Sequence, residues 1–447
     1  MRTRSVSRGI LVLALCLAPA LAAASGFHLY EQGAKASGQA VAFVARADDV
    51  TACYYNPAAI ANFSGGWLGL GGSFVMLGET TFQSDLERFN IPPLGLAPYR
   101  DDKFDMEDHT GTPIHVYYVQ RLGESPWAVG LSLTTPFGLI TDWPDKFAGR
   151  FTSGTADLQT LMWNVNLARS LGHGWSAALG VDYIDAELSE FSRNLFVAVP
   201  VSTSAYALFE PKADLSGNGS DWSWNAAVHW KNDDWAFGFN YRHGFSVELD
   251  GQIAFSNLPT VPLQPWNLLF PNGPGRGTLD LPATMAAGVA YTGLERWEFE
   301  FDVHRITWSD FEKLAVDLEN EGAVGDILVP ENWDDTTSFR LGASWDLAEA
   351  HQLRFGAYTE DSPIPLRYLR PSIPDSDRVG YTLGYGFKGK KIGFDVYWMH
   401  IELDDVSVTA NDLPDSELPP PIGSGDVPLG SYESKIDLYG ATVSFKM

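Results

Sequence analysis

The sequence predicts an all-β protein, a transmembrane antiparallel β-barrel of about fourteen strands, and three observations carry that prediction. The first is residues 222–241, where Trp222, Trp224, Ala226, Val228 and Trp230 alternate with Ser223, Asn225, Ala227, His229 and Lys231. After Asn232-Asp233-Asp234, Trp235, Phe237, Phe239 and Tyr241 alternate with Ala236, Gly238, Asn240 and Arg242. Successive side chains of a strand point to opposite faces, so this hairpin is aromatic on one face and polar on the other. Aromatics gather near both ends of the apolar face, as they do where a barrel strand crosses the two membrane interfaces. The second is hydropathy: the mean over 447 residues is −0.09, and no mature run approaches the ~20 apolar residues of a membrane helix. Barrels hide their hydrophobicity because only every second residue meets lipid. The third is that short and long connections alternate, which a barrel with tight periplasmic turns and long outer loops requires and a propeller or sandwich does not.

In chain order, Arg2, Arg4 and Arg8 precede an apolar run at residues 10–17 and the small residues Ala22-Ala23-Ala24. This is the pattern of a signal peptide over residues 1–24, implying export across a bacterial inner membrane. Its removal takes Cys16 and leaves Cys53 without a partner for an intramolecular disulfide, so Cys53 reads as a small buried residue. Residues 25–66 are rich in Ala and Gly and do not alternate cleanly. They carry Ala47-Asp48-Asp49 and, six residues on, Asn56-Pro57-Ala58. Asn56 can cap a short helix with Pro57 at its first position, where the missing N–H costs nothing.

The barrel occupies residues 67–447. Strands are expected at 67–77, 109–121, 127–139, 157–171, 175–192, 219–231, 235–249, 278–292, 296–309, 336–348, 352–362, 378–388, 391–404 and 433–447. Trp297, Phe299 and Phe301 oppose Glu298, Glu300 and Asp302; Phe339 and Leu341 oppose Arg340; Val379 and Tyr381 oppose Arg378. A Lys or Arg facing lipid at the midplane costs roughly 2–4 kcal/mol, so the charged faces should line the lumen. The last strand, with Tyr439, Ala441, Val443, Phe445 and Met447 in one parity, resembles the C-terminal signal read by the barrel assembly machinery of the outer membrane.

The formal charge of −26 becomes about −29 when the three signal-peptide arginines leave. Nucleic acid is excluded as a partner, since phosphate binding needs concentrated positive charge. Much of the acid falls in segments read as loops, Asp404, Asp405, Asp412, Asp415, Glu417 and Asp426 among them. They form either a solvated, repelling surface or a cation-bridged contact with lipopolysaccharide. The nine histidines form no Ser/His arrangement and no metal-ligand pair. No catalytic residue, metal or cofactor is therefore assigned, and the chain is read as a non-enzyme.

The signal peptide, the Ala-Asp-Asp and Asn-Pro-Ala segment and the barrel, together with Thr135-Pro136-Phe137-Gly138-Leu139, Trp143-Pro144 and Phe147-Ala148-Gly149-Arg150-Phe151, resemble the FadL family of outer-membrane transporters of long-chain fatty acids and hydrocarbons. The resemblance implies a monomeric transporter in the outer membrane of a Gram-negative bacterium. It also implies that residues 25–66, with Asp48, Asp49, Asn56, Pro57 and Ala58, form a hatch plugging the lumen. A hydrophobic molecule would be collected in an extracellular groove, held in the lumen and released through a lateral gap at a kinked third strand.

Candidate groove residues are Phe196, Val199, Leu208 and Phe209 in one long loop and Leu258, Trp266, Leu269 and Phe270 in the next; such apolar loops are either a collecting groove or a small core of their own. At Pro136, Phe137 and Gly138 the third strand either kinks or simply ends, because proline cannot donate to the ladder. A fatty-acid carboxylate needs a cation when it leaves water. Arg150, Arg242, Arg340, Arg354 and Arg378 are the candidates, unless they balance lumen acids such as Glu298, Glu300, Asp302 or Asp395. Long-chain fatty acids are the first expectation. Asp185, Glu187 and Glu190 stand where the fifth strand could offer a basic residue, which raises uncharged alkanes and monoaromatics as the alternative. A general porin or an adhesin barrel ranks lower, since neither needs the N-terminal segment together with inward-feeding apolar loops.

Overall fold

The computed structural model describes residues 26–77, 80–85, 103–195, 197–202, 205–259, 265–320, 322, 324–409, 411–412 and 428–447. The expected signal peptide at 1–24 and Phe196 lie outside the described residues, as do Asp415, Glu417 and Asp426.

Fourteen strands close into one antiparallel barrel. They are β1 (Gly66–Leu77), β2 (His109–Gly111 and Ile114–Arg121), β3 (Trp127–Thr134 and Gly138–Asp142), β4 (Thr155–Gly172), β5 (Trp175–Asn194), β6 (Lys212–Lys231), β7 (Trp235–Arg242 and Phe245–Ser256), β8 (Gly273–Leu281 and Thr284–Tyr291), β9 (Trp297–Ile306), β10 (Thr336–Ala348), β11 (His351–Glu360), β12 (Arg378–Lys388), β13 (Ile392–Leu403) and β14 (Lys435–Lys446). Each pairs with its sequence neighbour, and β14 returns to β1 in a register running from Trp67↔Lys446 to Met76↔Asp437. Closure removes the free edges that an open sheet of this size would expose.

The alternation behaves as the sequence predicts. On β6, Trp222, Trp224 and Val228 are exposed outward while Ser223, Asn225, Ala227 and His229 are buried inward. The hairpin turn is held by Asn232, whose Oδ1 accepts from Asp234 N at 3.0 Å and Trp235 N at 2.7 Å.

Four strands are not continuous. β2 breaks at Thr112-Pro113, β3 at 135–137, β7 at His243-Gly244 and β8 at Pro282-Ala283. The expected strands 109–121, 127–139, 235–249 and 278–292 run through these points. Prolines interrupt three of the four ladders because they have no N–H to donate. The long connections also carry structure of their own. Thr81–Ser84, Lys103–Asp105, Val406–Val408 and Gly430–Glu433 form a four-stranded sheet, and Val197–Ser202 pairs with Ala205–Phe209.

The N-terminal segment lies within the barrel and supplies much of the main hydrophobic cluster, including Phe43, Val50, Cys53, Tyr55 and Ile60. Cys53 is buried and free. Where the segment meets the wall, glycines stand on the inward face. A Cβ at Gly384 would lie 2.8 Å from Gly38 Cα, one at Gly342 2.8 Å from Gln39 O, and one at Gly130 2.7 Å from Cys53 Sγ. Backbone and wall can approach this closely only because no side chain stands between them.

Candidate functional site

The segment is built from short helical turns, Ala34–Ser37, Ala52–Tyr55 and the 3₁₀ turn Pro57–Asn62. Asn56 caps the last: its side chain accepts from Ala58 N at 3.2 Å with Pro57 at the first position, and its Nδ2 donates to Val44 O at 2.8 Å. Asp48 pairs with Lys35 at 2.7 Å, and Asp49 accepts from Thr51 N at 2.9 Å.

Two inward carboxylates of β9 grip the backbone between the helical turns. Asp302 Oδ2 accepts from Phe43 N at 2.8 Å and Val44 N at 3.0 Å, while Glu300 accepts from Ala45 N at 2.6 Å and Arg46 Nε at 2.9 Å. Arg46 also reaches Glu298 at 2.8 Å. Sequence reasoning placed these acids in the lumen but paired them with arginines of the wall. The detectable signal was Arg46 itself, a lone arginine in an otherwise small-residue segment. Other inward side chains meet further backbone groups: Ala34 N donates to Thr442 Oγ1, Ala40 N to Thr382 Oγ1, Asn166 Nδ2 to Cys53 O and Asn240 Nδ2 to Tyr54 O.

Residues 26–32 form an arm along the break in β3. Leu29 N donates to Pro136 O at 2.8 Å and Gly138 N to Phe27 O at 3.1 Å, bridging His28 to Phe137 as a short antiparallel pair. Thr160 of β4 holds Phe137 from the other side, accepting from its N–H at 3.0 Å and donating to its C=O at 2.6 Å. Pairing of β3 with β2 ends near Val116↔Leu133, whereas pairing with β4 continues to Asp142↔Thr155. Above Thr134 the β2–β3 ladder is therefore broken, crossed by Thr135 Oγ1 donating to Ile114 O at 3.3 Å and bounded further on by His109 against Asp142 at 3.2 Å. At this break Gln32 takes over the lost ladder: its Nε2 donates to Thr135 O at 2.8 Å and its Oε1 accepts from Thr135 N at 3.2 Å. Tyr117 fixes Gln32 by donating to its carbonyl at 2.6 Å. Sequence reasoning singled out Pro136, Phe137 and Gly138 at this place but not Gln32 or Pro113.

A cavity of about 810 Å³ runs along the arm to this break. Phe27, Leu29, Phe137, Leu139, Leu158 and Ile401 supply apolar wall, and Ile114, Thr135 and Leu161 line it at the β2–β3 break. Its charged lining comprises Glu31, Asp185, Glu187, Glu360, Asp375 and Arg378. Arg378 is thus the single cation of the described lining, and it is paired with Asp375.

The other four arginines singled out from the sequence also hold carboxylates. Arg340 pairs with Glu360 at 3.0 Å, Arg354 with Asp395 at 2.6 Å, Arg242 with Asp182, and Arg150 with Glu210 at 2.7 Å. In that last, extracellular pair, hydrogen bonds from Arg150 hold the Glu210 carboxyl below its ordinary value. Of the groove candidates, Val199 and Leu208 lie on the loop hairpin, paired with Ala207 and Ala198, and Phe209 ends it half-buried. Leu258, Trp266 and Leu269 pack half-buried on a second cluster that contains Phe270, Ile253 and Phe255. Leu268 of this second loop and Leu328 of the β9–β10 connection, 68% and 65% exposed, leave apolar surface facing out.

The comparisons with known proteins agree with this architecture. A family model described as outer membrane protein transport protein (OMPP1/FadL/TodX) matches residues 15–446. The long-chain fatty acid transport protein of Salmonella typhi is 26% identical over 421 residues, which cover 88% of this chain and 92% of that protein. Outer membrane protein P1 of Haemophilus influenzae is 24% identical, with 86% and 87% covered. Among solved structures, a Pseudomonas aeruginosa FadL homologue superposes with a TM-score of 0.79 at 16% identity, covering 94% of this chain and 100% of its own. The Pseudomonas putida toluene transporter TodX gives 0.69 at 17% identity, covering 95% and 100%. At these identities the structural likeness establishes the shared barrel. The protein resides in the outer membrane and is a transporter rather than an enzyme. This chain belongs to the OMPP1/FadL/TodX family of outer membrane transport proteins.

Proposed function

We propose that this protein carries hydrophobic molecules passively across the outer membrane, taking them from apolar outer loops into the cavity beside the N-terminal arm. They leave through the broken ladder between β2 and β3. The observation that carries this reading is the cavity of about 810 Å³ that runs from the arm to the break in β3. Its size suits a small hydrophobic ligand. Residues 26–63 act as the hatch in this scheme. The arm at 26–32 is the part that must yield, since it lies between the cavity and the broken strand.

Relatives are named for long-chain fatty acids and for toluene. Between these, the charge pattern favours neutral cargo. A carboxylate entering the cavity needs an available cation, and Arg378 already holds Asp375. The experiment fills the cavity with Ala186→Trp and Leu158→Trp. Uptake of labelled toluene, dodecane and dodecanoate is then measured in cells that rely on this protein alone. The variants should lose most uptake while folding as heat-modifiable barrels; wild-type uptake by both would refute the route, and a preference for dodecanoate would refute the neutral cargo.

A further inference from the structure

Glu31 stands on the arm between Tyr30 and Gln32, 7% exposed, and lines the cavity. Among the described residues no ion pair and no hydrogen bond from another residue reaches its carboxylate, which accepts only from its own backbone N–H. Three tyrosines around it are committed elsewhere, Tyr30 donating to Glu360 at 2.8 Å, Tyr55 to Tyr30 O at 2.8 Å and Tyr397 to Ser73 at 2.7 Å, while Tyr358 shares the cavity wall with Glu31. Arg340 and Arg378 attract Glu31 only from beyond contact range, each holding a carboxylate of its own, and Glu360 repels it. On the same arm and the same cavity wall, His28 is 7% exposed and its Nδ1 has no partner. A carboxylate beside apolar wall that accepts only from its own backbone keeps unused acceptor capacity, and a ligand that brings a donor gains by filling it.

We propose that the Glu31 side of the cavity recognises hydrophobic molecules carrying a hydrogen-bond donor, a hydroxyl above all, with the Glu31 carboxylate as the acceptor. The proposal rests on the reading of the cavity as the transport site and names its substrate class. A ligand carboxylate would set a like charge beside Glu31 and be disfavoured. An ether or alkane of the same length would fill the apolar wall and leave Glu31 unmet. A hydroxyl-bearing chain or ring satisfies both parts.

The test uses the full-length protein in nanodiscs, so that detergent does not compete for the cavity. Binding of tritiated 1-dodecanol is competed with 1-methoxyundecane, an acceptor-only isostere, and with dodecanoate, for wild type, Glu31→Gln and Glu31→Leu. A hydrogen bond to a charged acceptor should give dodecanol an advantage of about tenfold or more over the ether. That advantage should shrink in Glu31→Gln and vanish in Glu31→Leu, with the ether's own affinity unchanged. Equal binding of alcohol and ether by wild type, or tighter binding of dodecanoate, overturns the proposal and leaves hydrophobic transport standing. Failure of all three compounds to bind overturns the cavity reading itself. If Glu31→Leu does not migrate as a folded, heat-modifiable barrel, Glu31→Gln decides the matter, and an undiminished alcohol preference in it overturns the proposal.

Discussion

At the scale of single residues, Asp302 does what a strand cannot do for a segment lying across it: it accepts two consecutive backbone N–H groups, from Phe43 and Val44. These groups are fully buried, so removing the acceptor strands both. Asp302→Ala should cost about 1–3 kcal/mol for each donor left unsatisfied. Hydrogen exchange is the measurement that checks it: amides 43–46 should lose protection while β9 and β10 keep theirs. Uniform loss across the barrel would mean that the carboxylate supports the wall instead. The inward position of Asp302 was legible from alternation with Phe301 and Val303. Its partner was not, because binding to backbone N–H leaves no complementary charge in the sequence to find.

At the scale of elements, β3 is two strands that share one partner. Trp127–Thr134 pairs with both β2 and β4, and Gly138–Asp142 pairs with β4 alone. Pro136 marked this place in the sequence, yet a proline reads equally well as a strand end, and the expected strand 127–139 ran through the break. What distinguishes the two is pairing on the far side, a long-range fact. The same limit hid the four-stranded outer sheet, whose strands come from residues as far apart as Thr81 and Glu433. Gln32 holds both main-chain groups of Thr135 at the break, and Gln32→Ala leaves them without it. Exchange at Thr135 should accelerate about three- to tenfold, as expected for loss of a net 0.5–1.5 kcal/mol. If exchange is unchanged there, the arm's pairing at Leu29 and Phe27 holds the break unaided.

At the scale of the whole molecule, the barrel's face pattern and strand number were readable because lipid imposes period-two alternation on every strand. The interior followed no period, since it is set by the fit between one segment and the wall around it. Deleting residues 26–62 should leave a barrel that still assembles, because β1 pairs with β14 from Trp67 onward. In planar bilayers the deletion protein should conduct ions steadily where the intact chain does not; a closed deletion barrel would mean that the loops seal the lumen by themselves. The inward glycines at Gly130, Gly342 and Gly384 bear on what such a pore would be like. They were kept bare for the segment's backbone, so its departure would uncover three bare patches among the inward charged and polar side chains such as Asp302, Glu300, Asn166 and Asn240. If the segment acts as the proposed hatch, its full ejection would breach the outer membrane's permeability barrier through an aperture lined by these charges. Economy of motion follows: a transporter with this wall is safest when only its short arm moves.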